Sequence, residues 1–190
     1  MLSEFEKRVG VVTSQEYDDF HLFSEDDPPL SERIEEYWED LGLDFPEVTV
    51  PWSAVFVSWC IKQAGATAEE FKFSPQHSVF VHWAIGNMQA HEGVFRAHPI
   101  TEIAPSIGDI IQNNRSGSTH DFAFAATHDS YPSHSAIVVA TGHDAAGHFA
   151  FTVGGNESDS IRRKRVALDD DGFIVQRTNS PFICVVQNLK

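Results

Sequence analysis

A chain of 190 residues with 42% hydrophobic and 12% aromatic content is long enough to bury one core and too apolar to be disordered. Its formal net charge of −15 opposes non-specific binding to nucleic acid or to an anionic membrane. Fifteen Asp and Glu against three Lys and Arg fall in residues 1–50, so the acid is concentrated in the N-terminal quarter, where a charge run usually marks a solvated face.

In chain order, residues 1–30 mix a few apolar side chains with acids and end in SEDDPPL, whose prolines break a helix. An adaptable acidic N-terminal segment is expected there, followed by a core over residues 31–190, all in one domain. The opening MLSEFEKRVGVV has no apolar run of signal-peptide length, and no window is long enough to span a membrane. SERIEEYWEDLG predicts an amphipathic helix with Ser31 as N-cap, Ile34, Tyr37, Trp38 and Leu41 on one face, and Gly42 as the stop.

PWSAVFVSWCIKQAGA predicts a second helix from about Ser53 to Ala64, stopped by Gly65 and apolar nearly all round, hence central and buried. Free N–H groups at its start can stabilise negative charge, so Ser53 is a candidate nucleophile; an ordinary helix N-cap is the competing reading. A third helix carries Phe80, Trp83, Ala84 and Met88 on one side, with Gly93 beyond its end. From Ile107 the period changes to short β-rich runs, namely IGDIIQ, HSAIVVATG, HFAFTVGG, RKRVAL and FICVVQ. Helices first and strands afterwards predict an α+β fold with a mainly antiparallel sheet.

Residues 113–132 form a connection longer than compact domains usually carry without a purpose, a candidate lid or wall containing Phe122, Phe124 and Tyr131. The His-Asp pairs His120-Asp121, His128-Asp129 and His143-Asp144 could offer metal ligands, although such pairs in polar loops are more often solvated turns, and neither a metal nor another cofactor is expected. Cys60 and Cys184 each lie in an apolar run and read as buried thiols, not a disulfide. RRKR at 162–165 is the one basic run, with alternation on an exposed strand as its main reading and substrate carboxylate binding as a minor one. His134 begins one β run and Asn156 closes the next. With Ser53 they supply a nucleophile, a base and an orienting amide.

PWSAVFVSW resembles the PWCAAFVSW segment of the CHAP and NlpC-type cell-wall hydrolases, GDII at 108–111 resembles their GDI strand, and SHSAIVV resembles their GHVAIV strand. TVGGN is similar to the strand on which CHAP enzymes carry an acid two positions before an asparagine; Asn156 matches the asparagine and Gly154 stands at the acid. The likeness, over roughly residues 38–166, is strongest to a branch with WSAAF in place of WCAAF, an IGGN strand, and a histidine after a short F-x-x-S segment, here His77 in FKFSPQH.

The resemblance implies a papain-like fold, with a central helix bearing the nucleophile at its N-terminus and packed on an antiparallel sheet. It implies Ser53 as nucleophile, His134 as general base and Asn156 fixing the imidazole tautomer. Trp52, Ala54 and His77 would form the oxyanion or cleft surroundings. The implied activity is cleavage of peptide-type amides in bacterial peptidoglycan, as an amidase or endopeptidase. Such a protein would be an antibacterial effector or lytic protein, made in the cytoplasm without a signal peptide and delivered by a dedicated secretion system or by lysis. An immunity protein or other inhibitor would be a natural partner.

Serine at position 53 is the departure from the pattern, since a hydroxyl must lose its proton to a base during attack whereas a thiol ionises beforehand. Three explanations stay open: a serine hydrolase on a cysteine-peptidase scaffold, an inactive module that binds a cell-wall fragment or a protein, or an engineered replacement of cysteine. A different acyl transfer, by an esterase or a transglutaminase-like enzyme, is a further alternative.

Overall fold

A computed structural model describes residues 1–190, and the fold it shows is α+β. Helix α1 spans Glu4–Phe20, so the N-terminal segment, expected to be adaptable, is mostly helical. Ser3 caps it in a reciprocal capping box with Glu6, and Phe5, Val9 and Thr13 are buried. A capping box and an i, i+4 apolar pair are local signals that outweigh the acidic composition.

Helix α2 spans Leu30–Asp40, and its N-cap is Pro29, not Ser31. Helix α3, Ser53–Gln63, is the buried central helix, with residues 53–61 all buried. Gly65 follows it at φ 107°, a backbone conformation that side chains with a Cβ disfavour. Helix α4, His77–Ala90, ends at His91 in the left-handed region.

Six strands follow: β1 (Phe95–His98), β2 (Ile110–Asn114), β3 (Ser133–Asp144), β4 (Gly147–Gly154), β5 (Arg162–Ala167) and β6 (Phe182–Asn188). They form one sheet in the order β1-β6-β2-β3-β4-β5, and every neighbouring pair is antiparallel. Strand β1 was not expected from the sequence. A four-residue strand, Phe-Arg-Ala-His, offers too short an alternation to stand out.

The helices cover one face of the sheet, and alternation decides what each face receives. Ile110, Ile137, Val153, Cys184 and Val186 join the α1, α3 and α4 side chains in the main core. Ile111, Val138, Ala150, Val166, Phe182 and Val185 form a smaller cluster on the opposite face.

The N-terminal elements are locked on by polar groups as well as by packing. Glu16 is 4% exposed and accepts from Arg33 Nε (3.0 Å), Arg33 Nη2 (2.6 Å) and the Tyr37 hydroxyl (2.5 Å), which ties α1 to α2. The Arg33 guanidinium stacks over Trp59 of α3, 4.5 Å from the ring centroid. The segment after α1 reaches the start of the edge strand β5, where Arg162 Nη1 and Ser160 Oγ donate to the carbonyls of His21 and Phe23.

Candidate active site

Ser53 is the first residue of α3, and Trp52, not Ser53, occupies the N-cap position. A capping serine would accept from a backbone N–H of the first turn. Ser53 Oγ instead shares a 2.7 Å hydrogen bond with His77 Nε2, at the first residue of α4. Both side chains are buried, and both line a cavity of about 450 Å³ with Pro51, Gln76, Tyr131 and Ser133. The first-turn N–H groups of α3 have no helical carbonyl to bond, and they lie at the positive end of the helix dipole.

The second histidine comes from the sheet. His134 stands at the start of β3, and its ring lies 5.3 Å from that of His77, centroid to centroid, in an edge-on arrangement. Its Nε2 is 2.7 Å from Glu157 Oε1, and Lys164 pairs with the other carboxylate oxygen. Burial works to raise the Glu157 carboxyl, but the His134 hydrogen bond and charge, together with the Lys164 ammonium, hold it below the usual glutamate value. An ionised carboxylate can only accept, so Nε2 of His134 carries the hydrogen and Nδ1 is left to exchange a proton.

Burial, followed by the charges of His134 and Arg115, pushes the His77 imidazole well below the ordinary histidine value. His77 is therefore neutral at physiological pH, and its Nδ1 is buried without a partner. Ser53, His77, His134 and Glu157 thus form two hydrogen-bonded pairs placed side by side.

Asn156 does not orient His134. With its amide oriented to satisfy both neighbours, its oxygen accepts from Trp52 N at 3.2 Å and its nitrogen donates to Glu25 Oε2 at 3.3 Å, so it braces the residue that precedes Ser53. Glu25 also accepts from Trp52 Nε1 at 2.7 Å, which makes a residue of the acidic N-terminal segment part of this support. Trp52 is fully buried among Tyr37 and Phe56, and the Ala54 side chain lies in the core, so only main-chain groups of these two residues remain for the cleft.

Gly154 explains why the carboxylate comes from position 157. A Cβ on Gly154 would lie 2.5 Å from Glu157 Oε1 and 2.9 Å from His134 Nε2, so the carboxylate fills the space a side chain there would need. Sequence reasoning missed Glu157 and Glu25. The acid next to Asn156 was a usable signal for the first, and nothing local marks the second.

Residues 113–132 are more ordered than a flap. They contain the end of β2 and a short helix α5, Phe122–Thr127, capped by Asp121 and tied to α4 by His82 Nδ1 at 3.0 Å from the Ala125 carbonyl. Tyr131 donates to Gln112, and Arg115, Ser116, Tyr131 and Pro132 wall the cavity that holds Ser53. The His-Asp pairs serve other ends: His128 stacks on Phe124, and Asp144 pairs with Arg165. Cys60 and Cys184 are buried and unbridged, and burial pushes both thiols far up.

A central helix on an antiparallel sheet, with a serine and two histidines converging at the helix N-terminus, defines an α+β protein with a candidate hydroxyl-imidazole site. The chain belongs to the family described as "Uncharacterized protein conserved in bacteria (DUF2272)", whose model matches residues 25–184. No curated protein and no solved structure shows significant similarity to it.

Proposed function

We propose that this protein is a serine acyl-hydrolase of papain-like type, acting on peptide-type amides of bacterial peptidoglycan. The observation that carries the chemistry is the 2.7 Å contact between Ser53 Oγ, at the N-terminus of the buried helix, and the neutral His77 imidazole. The choice of substrate rests on the resemblance of the WSAVF, GDII and SHSAIVV segments to cell-wall hydrolases.

In this mechanism Ser53 Oγ attacks the carbonyl carbon while its proton passes to His77 Nε2, and the oxyanion is held by N–H groups of the first turn of α3. The carbon–nitrogen bond then breaks as the leaving nitrogen takes that proton from His77 Nε2. Water attacks the acyl-serine while its proton passes to the free Nδ1 of His134, whose ring Glu157 holds in place, and that proton returns to Ser53 Oγ as the ester bond breaks. The base expected at His134 is thereby divided between two histidines, and the orienting group expected at Asn156 becomes Glu157.

The test is incubation of the protein with purified peptidoglycan, followed by mass analysis of released fragments, alongside labelling with a fluorophosphonate. New amine and carboxyl ends, and a label on Ser53 that disappears in Ser53→Ala, are expected. Intact peptidoglycan together with an unlabelled Ser53 would leave a module that binds without cleaving.

A further inference from the structure

A second cavity, of about 410 Å³, lies against the first on the opposite face of the sheet from the helices. Alternate residues of three strands form its floor: Ile111 and Asn113 of β2, His134 and Ala136 of β3, and Lys164 and Val166 of β5. Arg115 and Ser116 line both cavities, so the two adjoin as halves of one groove region, His77 lining the first and His134 the second.

The charge of this half runs against that of the chain. In a protein of net charge −15, four cations, Arg115, Lys164, Arg165 and Arg177, line it beside a single carboxylate, Glu157. Glu157 is already engaged by His134 and Lys164, and Arg165 by Asp144. The exposed Arg115 guanidinium makes neither an ion pair nor a hydrogen bond, and only its backbone carbonyl is engaged, by Ser118. Arg177 uses Nε on the Ser180 carbonyl and packs over Phe182 at 4.2 Å, so its two terminal nitrogens remain for a ligand. Guanidinium groups bind carboxylates in a planar, two-point fashion.

We infer that this basic half of the groove is a substrate subsite for a carboxylate of an acidic peptide, held by Arg115 and Arg177 beside His134. The inference rests on the hydrolase proposal for the identity of the substrate, and it specifies which end of that substrate binds. A peptide whose free carboxylate sits there would present its amide to Ser53 from the side of His134, and amidation of that carboxylate would weaken it as a substrate.

The experiment measures binding of L-alanyl-γ-D-glutamate and of its diamide to the Ser53→Ala protein by titration calorimetry, with chemical-shift mapping. The free acid should bind about tenfold more tightly than the diamide, and Arg115→Gln and Arg177→Gln should each remove most of that preference. Arg115 is exposed, so Arg115→Gln keeps the test open should Arg177→Gln unfold. Equal binding of acid and diamide, unchanged preference in the Arg115→Gln protein, or equal displacement by inorganic phosphate at the same concentration would overturn the carboxylate subsite. Selective binding of the acid without cleavage of peptidoglycan by the unmodified protein would uphold the subsite and reject the hydrolase instead.

Discussion

Gly154 shows how tightly single atoms set this site. A methyl group there would fall on both partners of the Glu157–His134 hydrogen bond, and neither can retreat easily, because Glu157 is 7% exposed and His134 begins a paired strand. Gly154→Ala should therefore cost about 1–3 kcal/mol of stability and abolish cleavage while the fold persists. Circular dichroism with a turnover assay checks this, and a fully active Gly154→Ala would remove Glu157 from the mechanism. The two histidines can be separated through Ser53→Cys. A thiol at position 53 should be alkylated much faster than Cys60 or Cys184, whose thiols burial keeps protonated. Adding His77→Ala should slow that alkylation about tenfold near neutral pH, whereas adding His134→Ala should change it less. The opposite order would return the base to His134. Ser53 and His134 were legible in the sequence because motif spacing survives without knowledge of the fold. The orienting group lies at Glu157, one residue beyond the expected Asn156, because Asn156, Ser158 and Asp159 all adopt left-handed backbone, at φ 53°, 51° and 54°. That turn brings Glu157 back over Gly154, and no periodicity announces it.

At the scale of elements, periodicity located α2, α3 and α4 and five of the six strands, since their apolar stripes and alternations are long, and it missed the six-residue α5. It failed at α1, where acidic residues on the outward face hid Phe5, Val9 and Thr13 on the inward one. It also misread the acid itself as solvated throughout. Glu16 is the counter-example, a buried carboxylate that receives three hydrogen bonds from Arg33 and Tyr37. Removing it leaves the buried Tyr37 phenol without an acceptor and the Arg33 side chain, only 25% exposed, with Glu36 alone, at the joint of α1, α2 and α3. Glu16→Ala should cost about 3 kcal/mol in urea unfolding. The exposed pair Lys7–Glu4 is the control, and Glu4→Ala should leave the urea midpoint nearly unchanged. Equal costs would mean that the Glu16 network adds nothing beyond a surface ion pair.

For the molecule as a whole, the buried ionisable groups set how stability follows pH. His77 is lowered by burial first and then by neighbouring charge, so its contribution is present above pH 6.5 and is lost as the pH falls, when the unfolded chain takes up the proton that the folded one refuses. Asp109 works in the other direction. It is 1% exposed at the head of β2, and its two oxygens accept from Ser106 N and Asn188 N, both at 2.8 Å, which joins the loop before β2 to the end of β6. Burial raises its carboxyl from 3.8 to about 7, against the pull of those two hydrogen bonds. The folded state therefore binds more protons than the unfolded one between about pH 4 and 7, and Asp109's contribution is complete below that window and lost as the pH rises through it. Asp109→Asn cannot titrate, although its amide nitrogen must face one of the two N–H donors and lowers stability at every pH. Relative to that variant, the unmodified protein should lose about 2–4 kcal/mol between pH 4 and pH 7 and hold a constant difference above pH 8. Urea unfolding of both proteins across pH 4 to 8 measures the difference. Parallel curves would mean that Asp109 keeps its charge throughout, and that the two backbone hydrogen bonds outweigh its burial.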